Sequence, residues 1–160
     1  MITVGDRLPD GVFRIKQPDD SVKEVSVADL FDGQRVVLVG VPGAFTSTCH
    51  RAHIPQFVTH AGEIKARGAD RIVVMAVNDH HVMQMWAKSL GGEGKIDFVA
   101  DGDGIYAAEL GLAAKFPGMG TRVRRFSALV EDRVVKTLNF EADGAKGVQA
   151  TGAEVILAQL

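Results

Sequence analysis

The sequence predicts a mixed α/β sandwich, and three observations carry that expectation. Short apolar runs that read as strands alternate with segments of helical period as far as about Leu110. Two of those runs, Arg35 to Val41 and Arg71 to Val77, are apolar at successive positions, as strands covered on both faces are. The alternation then gives way to an antiparallel pair and a last helix, a pattern of layered sheet and helix.

The elements follow in order. Gly11 to Lys16 and Ser21 to Ser26 alternate around Gln17-Pro18-Asp19-Asp20 and read as a hairpin. Val27 to Phe31 makes one helical turn before the first buried strand. Thr46 to about Arg67 is helical, with a kink forced by Pro55, which removes an N–H and crowds the preceding turn. After the second buried strand, Asn78 or Asp79 caps a helix reaching about Leu90, with Val82, Met85, Trp86, Ser89 and Leu90 on one stripe. Ile96 to Ala100 is a strand and Gly104 to Leu110 a short helix. Arg124 to Glu131 and Arg133 to Asn139 pair around a tight turn. Thr151-Gly152-Ala153-Glu154 has capping-box spacing and opens the final helix. There is no repeat and no low-complexity linker. Residues 1–160 are expected to form a single domain, large enough to bury a full core without disulfides or metals.

Composition narrows the function classes. Charged residues make up 24% and the net charge is −2, so nothing calls for nucleic acid or an anionic membrane. A single cysteine excludes a disulfide framework and fits a reducing compartment. The first residues lack a basic segment followed by an apolar one, and no run approaches the roughly 18 apolar residues of a membrane span. The expected location is the cytoplasm.

That one cysteine, Cys49, lies in Val41-Pro42-Gly43-Ala44-Phe45-Thr46-Ser47-Thr48-Cys49-His50, directly after the first buried strand. Strand, Pro/Gly turn, hydroxyl-rich helix entry and thiol in the first helical turn place the sulfur near outward-pointing N–H groups. A helix N-terminus carries about half a positive charge and favours thiolate over thiol. An isolated cysteine is ordinarily a small buried hydrophobe. Ser, Thr, Cys and His in succession at a strand-to-helix elbow do not look like core. With one thiol there is no internal disulfide, so any redox cycle at Cys49 must be finished by another molecule.

Pro42-x-x-x-Thr46-x-x-Cys49 has the spacing of the peroxiredoxin active-site motif. The longer string from Pro42 to Thr46, with His53-x-x-x-Phe57 downstream, resembles the type II, peroxiredoxin-5-like subfamily. The likeness continues through Val77-Asn78-Asp79, Ala100-Asp101-Gly102, Gly120-Thr121-Arg122, Arg124-Arg125-Phe126-Ser127 and Asn139-x-Glu141. It implies a thioredoxin-like fold with a mixed central sheet flanked by helices. The implied activity is reduction of hydrogen peroxide and alkyl hydroperoxides through a sulfenic acid on Cys49.

Acidity of the thiol cannot supply that activity alone. Lowering a thiol pKa from about 8.5 to about 6 raises the thiolate fraction at neutral pH roughly thirtyfold. The weaker basicity takes back roughly thirteenfold on a Brønsted slope of about 0.45. The remainder must come from groups that stabilise the transition state. Thr46, one turn before Cys49, either bonds a peroxide oxygen or caps the Cys49 N–H, and the two roles are compatible. Three arginines at a strand start usually form a solvated surface, and alternation sends Arg124 and Arg125 to opposite faces. The family's Arg-Phe-Ser pattern singles out Arg125 as the cation beside the sulfur, its fork holding sulfur and oxygen together, and leaves Arg122 secondary or interfacial. Pro42 is either a plain turn proline or, as the resemblance implies, part of the pocket, shaping the elbow and shielding the thiolate from water. Phe45 and Phe116 either pack in the core or line an apolar approach for organic peroxides. His53, at a matching family position, organises the site by hydrogen bonding.

Cys49, His50 and His53 do not make a metal site, because a structural zinc wants four such ligands and no second cysteine joins them. No metal, flavin or haem is needed when sulfur is the redox centre. His50 as base of a Cys–His acyl-transfer enzyme is one rival reading, although adjacent helical residues do not face each other. A thioredoxin-like redox-sensing or binding domain without efficient turnover is the other. His80, His81 and Ser47 depart from the residues relatives often carry. Relatives often have a second cysteine, either where this chain has Gly147 to Ala150 or where it has Val73-Val74-Met75, and neither position is filled. The resemblance therefore implies a one-Cys cycle with an external thiol (glutathione with glutaredoxin, or thioredoxin) and a homodimer with Pro42 to Phe45 and Lys115 to Met119 flanking the site.

Overall fold

A computed structural model describes residues 1–142 and 147–160. Strands β1 (Val12–Lys16) and β2 (Val22–Ser26) form the expected hairpin, followed by helix α1 (Val27–Phe31). Ser26 and Asp29 close a reciprocal capping box at the start of α1. Strands β3 (Arg35–Gly40), β4 (Arg71–Ala76) and β5 (Asp97–Ala100) run parallel; β8 (Phe126–Glu131) adds antiparallel to β3, and β9 (Val134–Phe140) antiparallel to β8. The result is a seven-stranded mixed sheet in the order β2-β1-β5-β4-β3-β8-β9.

Alternation along β3 divides the core. Val37 and Val39 pack with helices α2 (Ile54–Ala66), α3 (His80–Leu90) and α5 (Ala153–Gln159) on one face. Val36 and Leu38 pack with α1 and α4 (Ile105–Glu109) on the other. Both faces are covered, as the unbroken apolar runs required.

The structure corrects several details. A second, two-stranded ribbon, β6 (Ala113–Phe116) and β7 (Gly120–Val123), occupies a stretch that carries no strand expectation. Arg124 and Arg125 form the link between β7 and β8 rather than the start of a strand. The buried stripe of α3 is Met83, Trp86 and Ala87, and Met85 is exposed. Two overlapping stripes satisfy helical spacing there and Trp86, packed edge-on to Phe98, belongs to both; Met83 and Ala87 are buried beside it in place of Met85 and Ser89. Thr151 does not cap α5, because its hydroxyl is committed to Glu141 and Gly152 stands at the cap position. The break at Pro55 takes the form of a π-helical turn over Cys49–His53, closed by the Ile54 N–H donating to the Cys49 carbonyl. Pro55 then falls in the first turn of α2, where its missing N–H is harmless.

This topology gathers the site. β3 ends at Gly40 and delivers the elbow and Cys49, while antiparallel β8 begins at Phe126 opposite Gly40 and so delivers Arg125 to the same end. Gly40 is required there, since a Cβ would overlap the Phe126 ring.

Candidate active site

Cys49 is the third residue of the helical run that starts at Ser47, and it is fully buried. The elbow before it is pinned from three sides. The Ala44 N–H donates to Asn78 Oδ1 at 2.9 Å, which leaves Asp79 to cap α3. The Thr46 hydroxyl donates to the Gly43 carbonyl at 2.7 Å instead of capping Cys49, so its oxygen lone pairs stay available as acceptors. Arg122, whose Nε donates to the Met119 carbonyl at 3.0 Å, reaches the Pro42 carbonyl at 3.4 Å and so ties the β6–β7 ribbon to the elbow. Phe45 holds a left-handed backbone, φ 61°, that a non-glycine residue adopts at a cost of about 1–2 kcal/mol.

Arg125 supplies the charge. Its Nη2 donates to Cys49 Sγ at 3.1 Å and its Nη1 to His53 Nδ1 at 2.6 Å. Arg124, next in sequence, goes the other way and lies over the Phe140 ring. His53 is buried, and its Nε2 meets the Thr151 carbonyl at 2.9 Å. A carbonyl only accepts, so Nε2 carries the proton and Nδ1 offers its lone pair to the guanidinium. Burial pushes the His53 pKa down to about 4, with Arg125 pushing the same way against the Thr151 bond and the Glu141 charge. The imidazole is therefore neutral at physiological pH. It holds the guanidinium without cancelling the charge that faces sulfur.

The remaining sequence candidates are placed less centrally. His53, expected from the sequence both to organise the site and to contact the substrate, is fully buried with both ring nitrogens engaged by Thr151 and Arg125. Phe45 is exposed and stacks on His50, 5.5 Å between centroids. Phe116 is half-buried at the turn end of β6, its carbonyl accepting from the Met119 N–H. His50 Nδ1 accepts from Trp86 Nε1 at 3.0 Å, so His50 is engaged with the core and not with the thiol. Among the described residues no cluster of three or more His, Cys, Asp or Glu side chains is arranged to hold a metal.

Sequence reasoning missed the pinning role of Asn78 and the part played by Glu141 and Thr151. Both Asn78 and Glu141 belong to short strings, Val77-Asn78-Asp79 and Asn139-x-Glu141, that stood out in the resemblance. Their partners, the Ala44 N–H and the loop before α5, are distant in sequence.

A family model described as Redoxin matches residues 3–156. Peroxiredoxin-2C of Oryza sativa subsp. japonica is 43% identical over 161 residues, covering 99% of this chain and 98% of the relative. Peroxiredoxin-2F, mitochondrial, of Arabidopsis thaliana is 39% identical and covers 84% of this chain. Among solved structures, reduced Prx3 from Vibrio vulnificus in complex with H2O2 superposes with TM-score 0.92 at 38% identity over 99% of each chain. Peroxiredoxin 5 from Alvinella pompejana superposes with TM-score 0.83 at 30% identity, covering 99% of this chain and 97% of that one. A thiol gripped by a guanidinium at the end of a thioredoxin-like sheet defines a thiol-redox protein, and the chain belongs to the redoxin family. Within that family it is a type II peroxiredoxin with one cysteine, a thiol-dependent peroxidase that takes a peroxide as substrate and a thiol as reductant.

Proposed function

We propose that Cys49 is the peroxidatic residue of a one-Cys cycle, and that the observation carrying this is the Arg125 fork spanning Sγ and His53 Nδ1. The thiolate attacks one peroxide oxygen, the S–O bond forms as the O–O bond breaks, and the leaving oxygen takes a proton to give water or an alcohol. Sulfur is oxidised to Cys–SOH. Arg125 faces the developing charge and Thr46 accepts from the peroxide O–H through its free lone pairs. Pro42, half-buried and tied to Arg122, keeps water from the elbow. Phe45 and Phe116 supply apolar surface toward an alkyl hydroperoxide, and His53 orients Arg125.

An external thiol then displaces water from Cys–SOH to form a mixed disulfide, and a second thiol releases Cys49 as thiol. Glutathione with glutaredoxin, or thioredoxin, fits this requirement. Residues 1–160 act as one domain, in the cytoplasm, as a homodimer joined near the Pro42 to Phe45 and Lys115 to Met119 segments. Exposed Phe45 supports that interface. The reductant is tested by following peroxide turnover with glutathione plus glutaredoxin against thioredoxin plus its reductase. Turnover with neither, while Cys49 is oxidised stoichiometrically, would exclude these two reductants and leave another small thiol, and no turnover with any thiol would show that the external-thiol half of the cycle is wrong. A subunit mass in sedimentation at micromolar concentration would do the same for the dimer.

A further inference from the structure

Thr151 spends every polar group it has at this site. Its carbonyl accepts from His53 Nε2, and its N–H and hydroxyl donate to Glu141 Oε2 at 2.8 and 2.6 Å. Glu141 also takes the N–H of Gln149 at 2.9 Å and the N–H of Ala150 at 3.1 Å. Three consecutive backbone donors and one hydroxyl thus converge on a single carboxylate. Burial raises the Glu141 carboxyl pKa, but the bonds from Thr151, Gln149 and Ala150 outweigh it and hold the group below its ordinary value. On the far side, the Ala153 N–H donates to Gln56 Oε1, whose own Nε2 donates to the Ala52 carbonyl in the turn that carries Cys49. The Thr151 carbonyl is fixed from both directions.

We propose that Glu141, acting through Thr151, is a positioning residue for the Arg125–Cys49 pair: it fixes the His53 tautomer and thereby the angle of the guanidinium. This rests on the peroxidatic role of Cys49 and names what holds its cation in place. Two features support it over simple loop closure. First, the His53 ring has one arrangement that suits both neighbours. Moving the proton to Nδ1 sets N–H against N–H at Arg125 and leaves the Thr151 carbonyl without its donor. Secondly, the anchor is charged yet kept one residue away. A carboxylate placed directly on Arg125 would cancel the charge the sulfur needs, whereas a carboxylate behind a peptide and a neutral imidazole grips firmly and leaves that charge intact.

The test is a double-mutant cycle on the full chain. Glu141→Gln keeps the shape but offers one acceptor oxygen to donors that now reach two. It should lower the second-order rate with dilute hydrogen peroxide by up to about 10²-fold, the scale on which a misplaced group acts. Thr151→Val should lose part of that, and Thr151→Ser should recover most of the valine loss. On an Arg125→Ala background Glu141→Gln should have little further effect, since the group it positions is gone. Ring nitrogen chemical shifts of His53 should move from a single Nε2–H form to a mixture, a signature that does not depend on turnover. The same fold-loss in both backgrounds, or a folded Glu141→Gln protein with the original tautomer and rate, would overturn the proposal. If Glu141→Gln does not fold, the cycle is read with Thr151→Val. Failure of the peroxidatic reading itself would show separately, as turnover surviving Cys49→Ser.

Discussion

Arg125 Nη2 stands 3.1 Å from Cys49 Sγ although the two residues are 76 positions apart. The contact follows from the antiparallel register of β3 and β8, which sets Gly40 opposite Phe126 and so puts Arg125 and the elbow that leads to Cys49 at the same end of the sheet. Removing the guanidinium should therefore do more than lower the thiolate fraction. Arg125→Ala is expected to cut the peroxide rate by about 10²-fold or more, beyond the loss read from thiolate absorbance at the same pH. Arg125→Lys should recover only part, because an ammonium cannot reach Sγ and His53 Nδ1 as a fork does. A rate loss fully explained by the thiolate absorbance would remove the transition-state role.

Thr46 separates from its bland role in the same way. Its hydroxyl already donates to Gly43, so what it offers a peroxide is lone pairs. Thr46→Ser should keep most of the activity, and Thr46→Val, which removes the lone pairs and the bond to Gly43 together, should lose about 10²-fold. Equal rates for the two variants in stopped-flow oxidation would mean that the Thr46 hydroxyl takes no part in the reaction.

Buried His53 makes stability depend on pH. Its pKa falls from an ordinary 6.5 to about 4 in the fold. A group depressed on folding binds fewer protons in the native state, so its contribution is full above about pH 6.5 and drains as pH falls toward about 4, to a limit of about 3 kcal/mol. Arg125, Glu141 and Cys49 are the charged or titratable groups on its relay, and loss of the Glu141 bonds adds to the drain at the acid end. Urea unfolding at about pH 7.5 and about pH 4.5 should show a steeper loss for the wild type than for His53→Gln, which keeps an acceptor for Arg125 and has no proton to gain. Identical slopes would mean that His53 is not held neutral by the fold.

Much of this was legible in the sequence, for identifiable reasons. The hairpin around Gln17 to Asp20, the two buried strands and the elbow before Cys49 are local patterns, and local patterns survive folding. The β6–β7 ribbon was not legible, because Pro117, Gly118 and Gly120 read as an apolar loop and the strands are only four residues each. Thr151-x-x-Glu154 has the right spacing for a capping box, yet Thr151 is claimed by Glu141 from another element, so a tertiary bond overrode a local one. The site divides similarly. Cys49, Thr46 and Pro42 share one segment, and Arg125 was reachable through family likeness. That Asn78 holds the elbow and that Glu141 stands behind His53 depend on contacts across 34 and 10 residues that no spacing rule announces.

The absence of a second cysteine in the sequence sets the route to inactivation. A sulfenic acid on Cys49 waits for an outside thiol, and a second peroxide competes for it, giving sulfinic acid. Intact-mass spectrometry after excess peroxide should show two added oxygens on the Cys49 peptide when thiol is absent and suppression of that shift when thiol is abundant. A mono-oxygenated species that never advances would mean that the fold protects the intermediate.

The most direct measurement is peroxide consumption by Cys49→Ser beside the wild type, at equal concentration and with excess thiol reductant. Serine conserves the size of the buried side chain, so the variant should fold. It should leave consumption at the uncatalysed background, because the chain holds no other thiol to carry the electrons. Turnover by the folded variant above about one per cent of wild type would contradict a sulfur mechanism at Cys49.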